Sequence, residues 1–310
     1  MMTDARPRFG LIGTGVWVRD VQAPAAAASD AVRFTSIFGR NREAAETLAA
    51  EHGVAAETDL DRFLDGVDIV GIALPPSAQP EFAMQAIAAG KHLLLEKPLA
   101  MEVDAARRIA EGLEAKGLKS VVFFTNLINR RVSAWLDDVR AAGGWVGGRI
   151  DSFSGVLVDP TNPFHSTAQW RGPAGALWDT VPHAVALLTR IFGPVAEATA
   201  MTGQGDLKAA ILHHRDGALT TINFAMDMPP SVPGETVIYG KAGKREMPAH
   251  VFDWTTVARH AYADALNSLA AAAIHGTASP HPDARFGAAV TTVIAAIERS
   301  IAERRTVKVE

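Results

Sequence analysis

Residues 8 to 125 alternate short apolar runs with stretches of helical period, and few folds accept that order. The runs are Phe9–Ile12, Arg33–Phe38, Val67–Leu74, His92–Leu95 and Ser120–Thr125. Asn41 stands where it caps a helix over Arg42–His52, which Gly53 ends. Ser77 stands where it caps another over Ala78–Ala89, which Gly90 ends. Strands apolar on both faces and separated by helices form a parallel sheet covered on both sides. The pattern predicts an α/β fold with an N-terminal doubly wound Rossmann domain over residues 1–125.

After residue 125 the pattern changes. A helix is expected over Arg131–Ala142, followed by a Gly-rich stretch over Gly143–Gly148. Strand-like segments follow at Arg149–Val158, Val195–Thr202, Leu207–His214, Ala218–Ala225 and Glu235–Tyr239. Asp216-Gly217 reads as a hairpin turn. Alanine-rich helices over Val257–Ile274 and Ala284–Ala302 close the chain. Residues 126–310 are expected to form an α+β domain with a mostly antiparallel sheet.

The chain has 310 residues, 48% hydrophobic and 21% charged, which fits two globular domains. No apolar run reaches membrane-spanning length, and no apolar leader precedes the first strand, so a cytoplasmic location is expected. A net charge of −4 with scattered basic residues argues against nucleic acid and membrane surfaces as partners. The absence of cysteine removes disulfides, thiolate metal sites and cysteine nucleophiles together. No metal is expected: there is no His-Glu-x-x-His spacing. His213 and His214 are neighbours on a strand, so they point to opposite faces.

The first strand runs into Gly10-Leu11-Ile12-Gly13-Thr14-Gly15. Gly13 and Gly15 give the tight turn and close backbone approach that a pyrophosphate needs. The residues that open the next helix, Thr14 to Trp17 with Val16 between, offer N–H groups to the anion. A third small residue would complete the fingerprint, but Val18 stands there, which would hold the helix slightly off the strand. A carboxylate is the usual partner of the NAD ribose at the end of the second strand. This chain has Gly39-Arg40-Asn41-Arg42 instead. Guanidinium groups pair with a 2′-phosphate, so NADP is favoured, with NAD possible.

A second strand end reads Leu93-Leu94-Leu95-Glu96-Lys97-Pro98. Open parallel sheets present their ligand-binding groups at this edge. Lys97 leaves a buried strand there, and an ammonium held partly out of water trades protons more readily near neutrality. Glu96 is a partner that could orient it, and Pro98 could hold a cis turn. Farther on, Pro182 is tolerated only in a first helical turn, so a helix is expected to begin near Trp178 or Asp179. That places Asp179 and His183 on one face. The positive end of the helix favours neutral imidazole, the form that accepts a proton from an alcohol. Trp170-Arg171 precedes this helix, where it could close over a ring or hold a polar substrate, or equally serve packing and a salt bridge.

Taken together, these residues resemble the glucose–fructose oxidoreductase and inositol dehydrogenase (Gfo/Idh/MocA) family over nearly the whole chain. The resemblance rests on Gly10–Gly15, Leu74-Pro75-Pro76-Ser77, Ala89-Gly90-Lys91-His92 leading to Glu96-Lys97-Pro98, Asp179-x-x-x-His183, and a final helix ending Ala295–Ser300. It implies bound NAD or NADP and oxidation or reduction of a sugar, cyclitol or related alcohol. It also implies an open C-terminal sheet that makes a homodimer or homotetramer. Leu74, Pro75, Glu96, Lys97 and Asn126 then join the cofactor-binding positions. Lys97 would contact substrate and nicotinamide, His183 serve as acid/base and Asp179 position substrate. Two places depart from the family. Gln79 stands where a histidine is usual, and Thr125–Arg130 keeps an asparagine but lacks the usual arginine and aromatic.

The leading expectation is therefore an NADP-dependent dehydrogenase acting on CH–OH groups of a polyhydroxylated small molecule. A catalytically silent nucleotide-binding sensor or scaffold is one alternative. A lyase or glycosidase that uses bound NAD transiently is another.

Overall fold

The computed structural model describes residues 5–161, 165, 175–241, 243–248 and 253–310. In chain order its first elements are β1 (Arg8–Ile12), α1 (Ala23–Ala27), β2 (Arg33–Phe38), α2 (Arg42–His52), β3 (Ala55–Glu57), α3 (Leu60–Asp65), β4 (Ile69–Ile72), α4 (Gln79–Ala88), β5 (His92–Leu95), α5 (Val103–Ala115), β6 (Ser120–Val122) and α6 (Thr125–Ile128). Then come α7 (Arg130–Ala142), β7 (Trp145–Phe153), α8 (Gly175–Asp179), α9 (Val181–Phe192), β8 (Val195–Thr202), β9 (Lys208–His214), β10 (Leu219–Ala225), β11 (Glu235–Gly240) and β12 (Gly243–Glu246). The chain closes with α10 (Trp254–His275), α11 (Ala284–Glu303) and β13 (Val307–Lys308). Among the described residues no helix is long and apolar enough to cross a membrane.

The chain forms two compact units. One holds residues 1–129 and 251–288, the other residues 130–250 and 289–310. This division departs from a second domain running unbroken over 126–310. The reason is the composition of α10. Its Ala258, Ala261, Tyr262, Ala265, Leu266 and Leu269 are buried in one apolar cluster with Phe9, Leu11, Ile69, Leu94 and Phe123 of the parallel sheet.

In the first unit the strand order is β3-β2-β1-β4-β5-β6, with every pairing parallel. All six strands therefore end at the same edge. Val18, which stands where a small residue was expected, is fully buried, and Val18–Gln22 winds as a π-helical turn. Asn41 caps α2 through Oδ1, 3.1 Å from the Ala44 N–H, and Gly53 ends it in the left-handed region. Ser77 does not cap α4 as expected. The cap position is Ala78, and no side chain bonds there.

The second unit has a seven-stranded sheet of order β12-β11-β7-β10-β9-β8-β13, antiparallel except where β7 meets β10. Gly217, at φ +93°, turns β9 into β10 as expected of Asp216-Gly217. Gly147 and Gly148 lie inside β7 rather than in a loop. A Cβ at Gly147 would stand 2.7 Å from both the Leu219 carbonyl oxygen and the Tyr239 ring, so glycine lets neighbouring strands approach. His213 is exposed and His214 buried, on opposite faces. The His214 ring pairs with the Gly193 carbonyl at 2.8 Å and the Thr220 hydroxyl at 3.0 Å. Burial keeps its pKa below the usual histidine value.

Candidate active site at the strand ends

The glycine turn follows β1. Gly13 has φ +128°, and its N–H donates to the Phe38 carbonyl at 2.9 Å. A Cβ there would stand 2.6 Å from the Ala73 carbonyl oxygen, so only glycine fits this turn between β2 and β4. Gly39 is constrained similarly, since its Cβ would stand 2.7 Å from the Thr14 methyl. Gly15 differs: a Cβ there would meet nothing within 4 Å. The turn thus packs tightly beneath and stays open at Gly15, and the chain enters helical winding at Val16. These residues fit a dinucleotide pyrophosphate, which needs an open backbone approach and a helix start. Asn126, in the short α6 that follows β6, gives a second sign of fit. Its Oδ1 is enclosed and has no hydrogen-bond partner among the described residues.

At the end of β2 the two arginines part. Arg42 donates to the Thr58 hydroxyl at 2.9 Å and lies 3.6 Å from Glu46 on its own helix. Arg40 is exposed and forms no ion pair among the described residues. Beside the turn, a cleft of about 320 Å³ is lined by Thr14, Arg19, Asn41, Glu43, Thr47 and Glu51 among others. Leu74 and Pro75 follow β4, where the Pro75 carbonyl accepts the Ala78 and Gln79 N–H groups at 2.8 and 3.1 Å.

At the end of β5 the Lys97–Pro98 peptide is cis, and Lys97 is half-buried. The Glu96 carboxyl accepts hydrogen bonds at Oε1 from the Trp17 indole and the Gln22 carboxamide, both at 2.7 Å. Trp17 belongs to the glycine-turn segment, so the turn and the lysine strand are tied together through Glu96. Burial pushes the Glu96 carboxyl up to about 7, against the pull of Lys97 and the two donors. Sequence reasoning noted Gln79 only as a departure. In the structure it is fully buried and bonds the backbone on both sides of Lys97. The signal that could have found it is a buried-phase glutamine on an otherwise apolar helix face.

The second unit holds Asp179 and His183, both half-buried. The expected single helix is two. Asp179 ends α8, Thr180 interrupts, and α9 starts at Val181 with Pro182 in its first turn. Proline has no N–H to continue the ladder from α8, so the winding restarts, and the two residues do not share one regular helix face. The Thr180 hydroxyl closes α8 on the Ala176 carbonyl at 2.9 Å, and the His183 N–H donates to the Thr180 carbonyl at 3.2 Å. His183 still occupies a first helical turn. Trp170 and Arg171 lie outside the described residues.

Fold and turn together define a dinucleotide-binding α/β protein. The chain belongs to the Gfo/Idh/MocA family. Residues 7–124 match its oxidoreductase model with an NAD-binding Rossmann fold, and residues 146–246 match its C-terminal domain. An uncharacterized oxidoreductase of Synechocystis sp. is 27% identical over 75% of this chain and 66% of its own length. The scyllo-inositol 2-dehydrogenase (NADP(+)) of Bacillus subtilis is 33% identical over 36% of this chain and 34% of its own. Among solved structures, scyllo-inositol dehydrogenase from Lactobacillus casei with bound NAD(H) and scyllo-inositol has a TM-score of 0.85 at 16% identity. The match covers 98% of this chain and 99% of that one.

Proposed function

We propose that this protein is an NADP-dependent, NAD-tolerant dehydrogenase that interconverts a hydroxyl and a ketone on a sugar, cyclitol or related polyol. The observation that carries the reading is the hydrogen bond from Trp17 to Glu96. It fixes the dinucleotide turn and the lysine-bearing strand end as one piece. The nicotinamide, when bound, supplies or accepts the hydride. His183 takes the hydroxyl proton in oxidation and returns it in reduction. Lys97 donates a hydrogen bond to the reacting oxygen and steadies its developing negative charge. Asp179 binds a neighbouring hydroxyl or orients His183. Gly13 to Trp17, Leu74, Pro75 and Asn126 hold the nucleotide. Trp170 and Arg171 contact substrate. The Bacillus subtilis relative, by its name an NADP-dependent scyllo-inositol dehydrogenase, supports the choice of cyclitols.

The test is a screen of inositols, polyols and sugars with NADP and NAD in parallel, read by absorbance of the reduced nicotinamide. Turnover of a cyclitol or sugar alcohol is expected. No turnover with any alcohol or ketone would return the protein to the silent sensor or the lyase reading.

NADP preference rests on Arg40, which is exposed and unengaged by other charges among the described residues. Arg42 contributes less, being held by Thr58 and Glu46. A charge-assisted contact of this type is worth ~1.5–3 kcal/mol, so Arg40→Ala is expected to raise the Kd for NADP about 10- to 100-fold. The Kd for NAD should barely move. Equal losses for both nucleotides would remove Arg40 from 2′-phosphate recognition.

The reading includes self-association through the second unit's sheet. Val146, Met201, Ile211, Leu219 and Tyr239 are exposed large hydrophobics on its strands. A monomer by light scattering would remove that element.

A further inference from the structure

We propose that Gln79 is a positioning residue for Lys97, fixing the backbone on both sides of it with one buried carboxamide. Ladder pairing ends at Leu95, which faces Ile72 on one side and Val122 on the other. Glu96 to Leu99 therefore leave the sheet while still in the interior, with Pro98 and Leu99 buried. Backbone groups in that position must find other partners.

Gln79 supplies them. Its Oε1 accepts the Glu96 N–H at 2.8 Å. Its Nε2 donates to the Glu96 carbonyl at 2.9 Å and the Leu99 carbonyl at 3.0 Å, with the Pro98 carbonyl a longer neighbour at 3.3 Å. A carboxamide has one acceptor oxygen and two N–H donors, and all are used. The side chain acts as a short piece of the missing neighbouring strand. It is itself immobile: Gln79 is fully buried at the start of α4, whose other buried positions, Ala83, Ala86 and Ile87, are apolar. The second hold on the segment is the Glu96 carboxyl, gripped by Trp17 and Gln22. Lys97 thus leaves a backbone clamped at residues 96 and 99.

Few side chains can replace this clamp. Methionine has the length and no hydrogen bonds. Glutamate accepts but does not donate when ionised. Neutral histidine has one donor and one acceptor, two of the three groups needed. The expected order of function is glutamine, then histidine, then methionine.

The inference rests on the reading of Lys97 as a group that touches substrate, and the test separates the two. The variants are Gln79→Met, Gln79→His, Lys97→Met and the double variant Lys97→Met/Gln79→Met. Each is assayed for kcat, KM, reduced-nucleotide Kd by fluorescence, and Tm. Displacing a reacting group by about an ångström costs about 100-fold, so Gln79→Met should lower kcat on that scale while nucleotide Kd stays within about twofold. Gln79→His should recover part of the loss. In the Lys97→Met background, Gln79→Met should slow turnover no further, because the group it positions is gone. Gln79→Met at the wild-type rate beside an impaired Lys97→Met would overturn the proposal alone, as would a Gln79→Met loss that persists in full without Lys97. Lys97→Met at the wild-type rate would remove the reading of Lys97 and the proposal with it. If Gln79→Met does not fold, the same cycle is run with Gln79→His, where an unimpaired kcat or full additivity with Lys97→Met overturns the proposal.

Discussion

His183→Ala is expected to lower turnover about 10²- to 10⁴-fold, the range over which a positioned acid/base residue accelerates proton transfer. Nucleotide affinity should stay unchanged, because the residues proposed to hold the nucleotide do not include His183. The physical basis is the start of α9. His183 stands in its first turn, and neutral imidazole is the form that accepts a proton from an alcohol. Lys97→Met is the necessary companion measurement. If His183 is the base, the acidic limb of the pH profile of kcat/KM disappears in His183→Ala and survives in Lys97→Met. The reverse pattern would hand the proton to Lys97. Wild-type turnover in His183→Ala would remove the histidine from the chemistry altogether.

Much of this scaffold is legible in the sequence because local signals and burial agree. The strands Arg33–Phe38, His92–Leu95 and Val195–Thr202 and the helix Arg42–His52 begin and end where apolar period, the Asn41 cap and Gly53 place them. Most of the failures share one cause, which is that the deciding contact comes from a distant part of the chain. Gly147 and Gly148 look like loop residues until the backbone of Leu219 and the ring of Tyr239 are beside them. The alanine face of α10 does not say which sheet it will cover. The break at Thr180 follows from Pro182, a local signal placed one turn too early in the sequence reading. Gln79 is the sharpest case. Its place on an otherwise apolar helix face marks it as buried, but its partners lie in the strand end seventeen residues away. The glycine turn and the Glu-Lys-Pro strand end are readable because each needs particular residue types. Their linkage through Trp17 and Glu96 is a tertiary fact.

That linkage has a measurable effect on stability. The Glu96 carboxyl titrates near 7 when folded, against 4.5 for an unperturbed glutamate, because burial disfavours its charge. Between those values the folded chain binds a proton that the unfolded chain has released. The stabilisation from neutral Glu96 is therefore complete below pH 4.5 and is lost as pH rises through about 7. A gap of this size corresponds to about 3 kcal/mol. His92 and His214 work in the opposite sense. Both are held below the usual histidine value by burial, so their contribution to stability grows as pH rises into the neutral range. The comparison of wild type with Glu96→Gln isolates the carboxyl from them. Glutamine keeps an acceptor for Trp17 and Gln22 and adds N–H donors. Gln22 Oε1 and the Tyr262 hydroxyl are both buried without a hydrogen-bond partner among the described residues. Burial, and after it the Glu96 charge, pushes the Tyr262 hydroxyl pKa up, which places the two groups within electrostatic reach. Urea unfolding should find the two proteins about equally stable at pH 4. At pH 8 the variant should be the more stable by up to about 3 kcal/mol. Parallel stability curves across that range would mean that Glu96 titrates alike in the folded and unfolded chain, and that the tie between turn and lysine strand is a charged one at neutral pH.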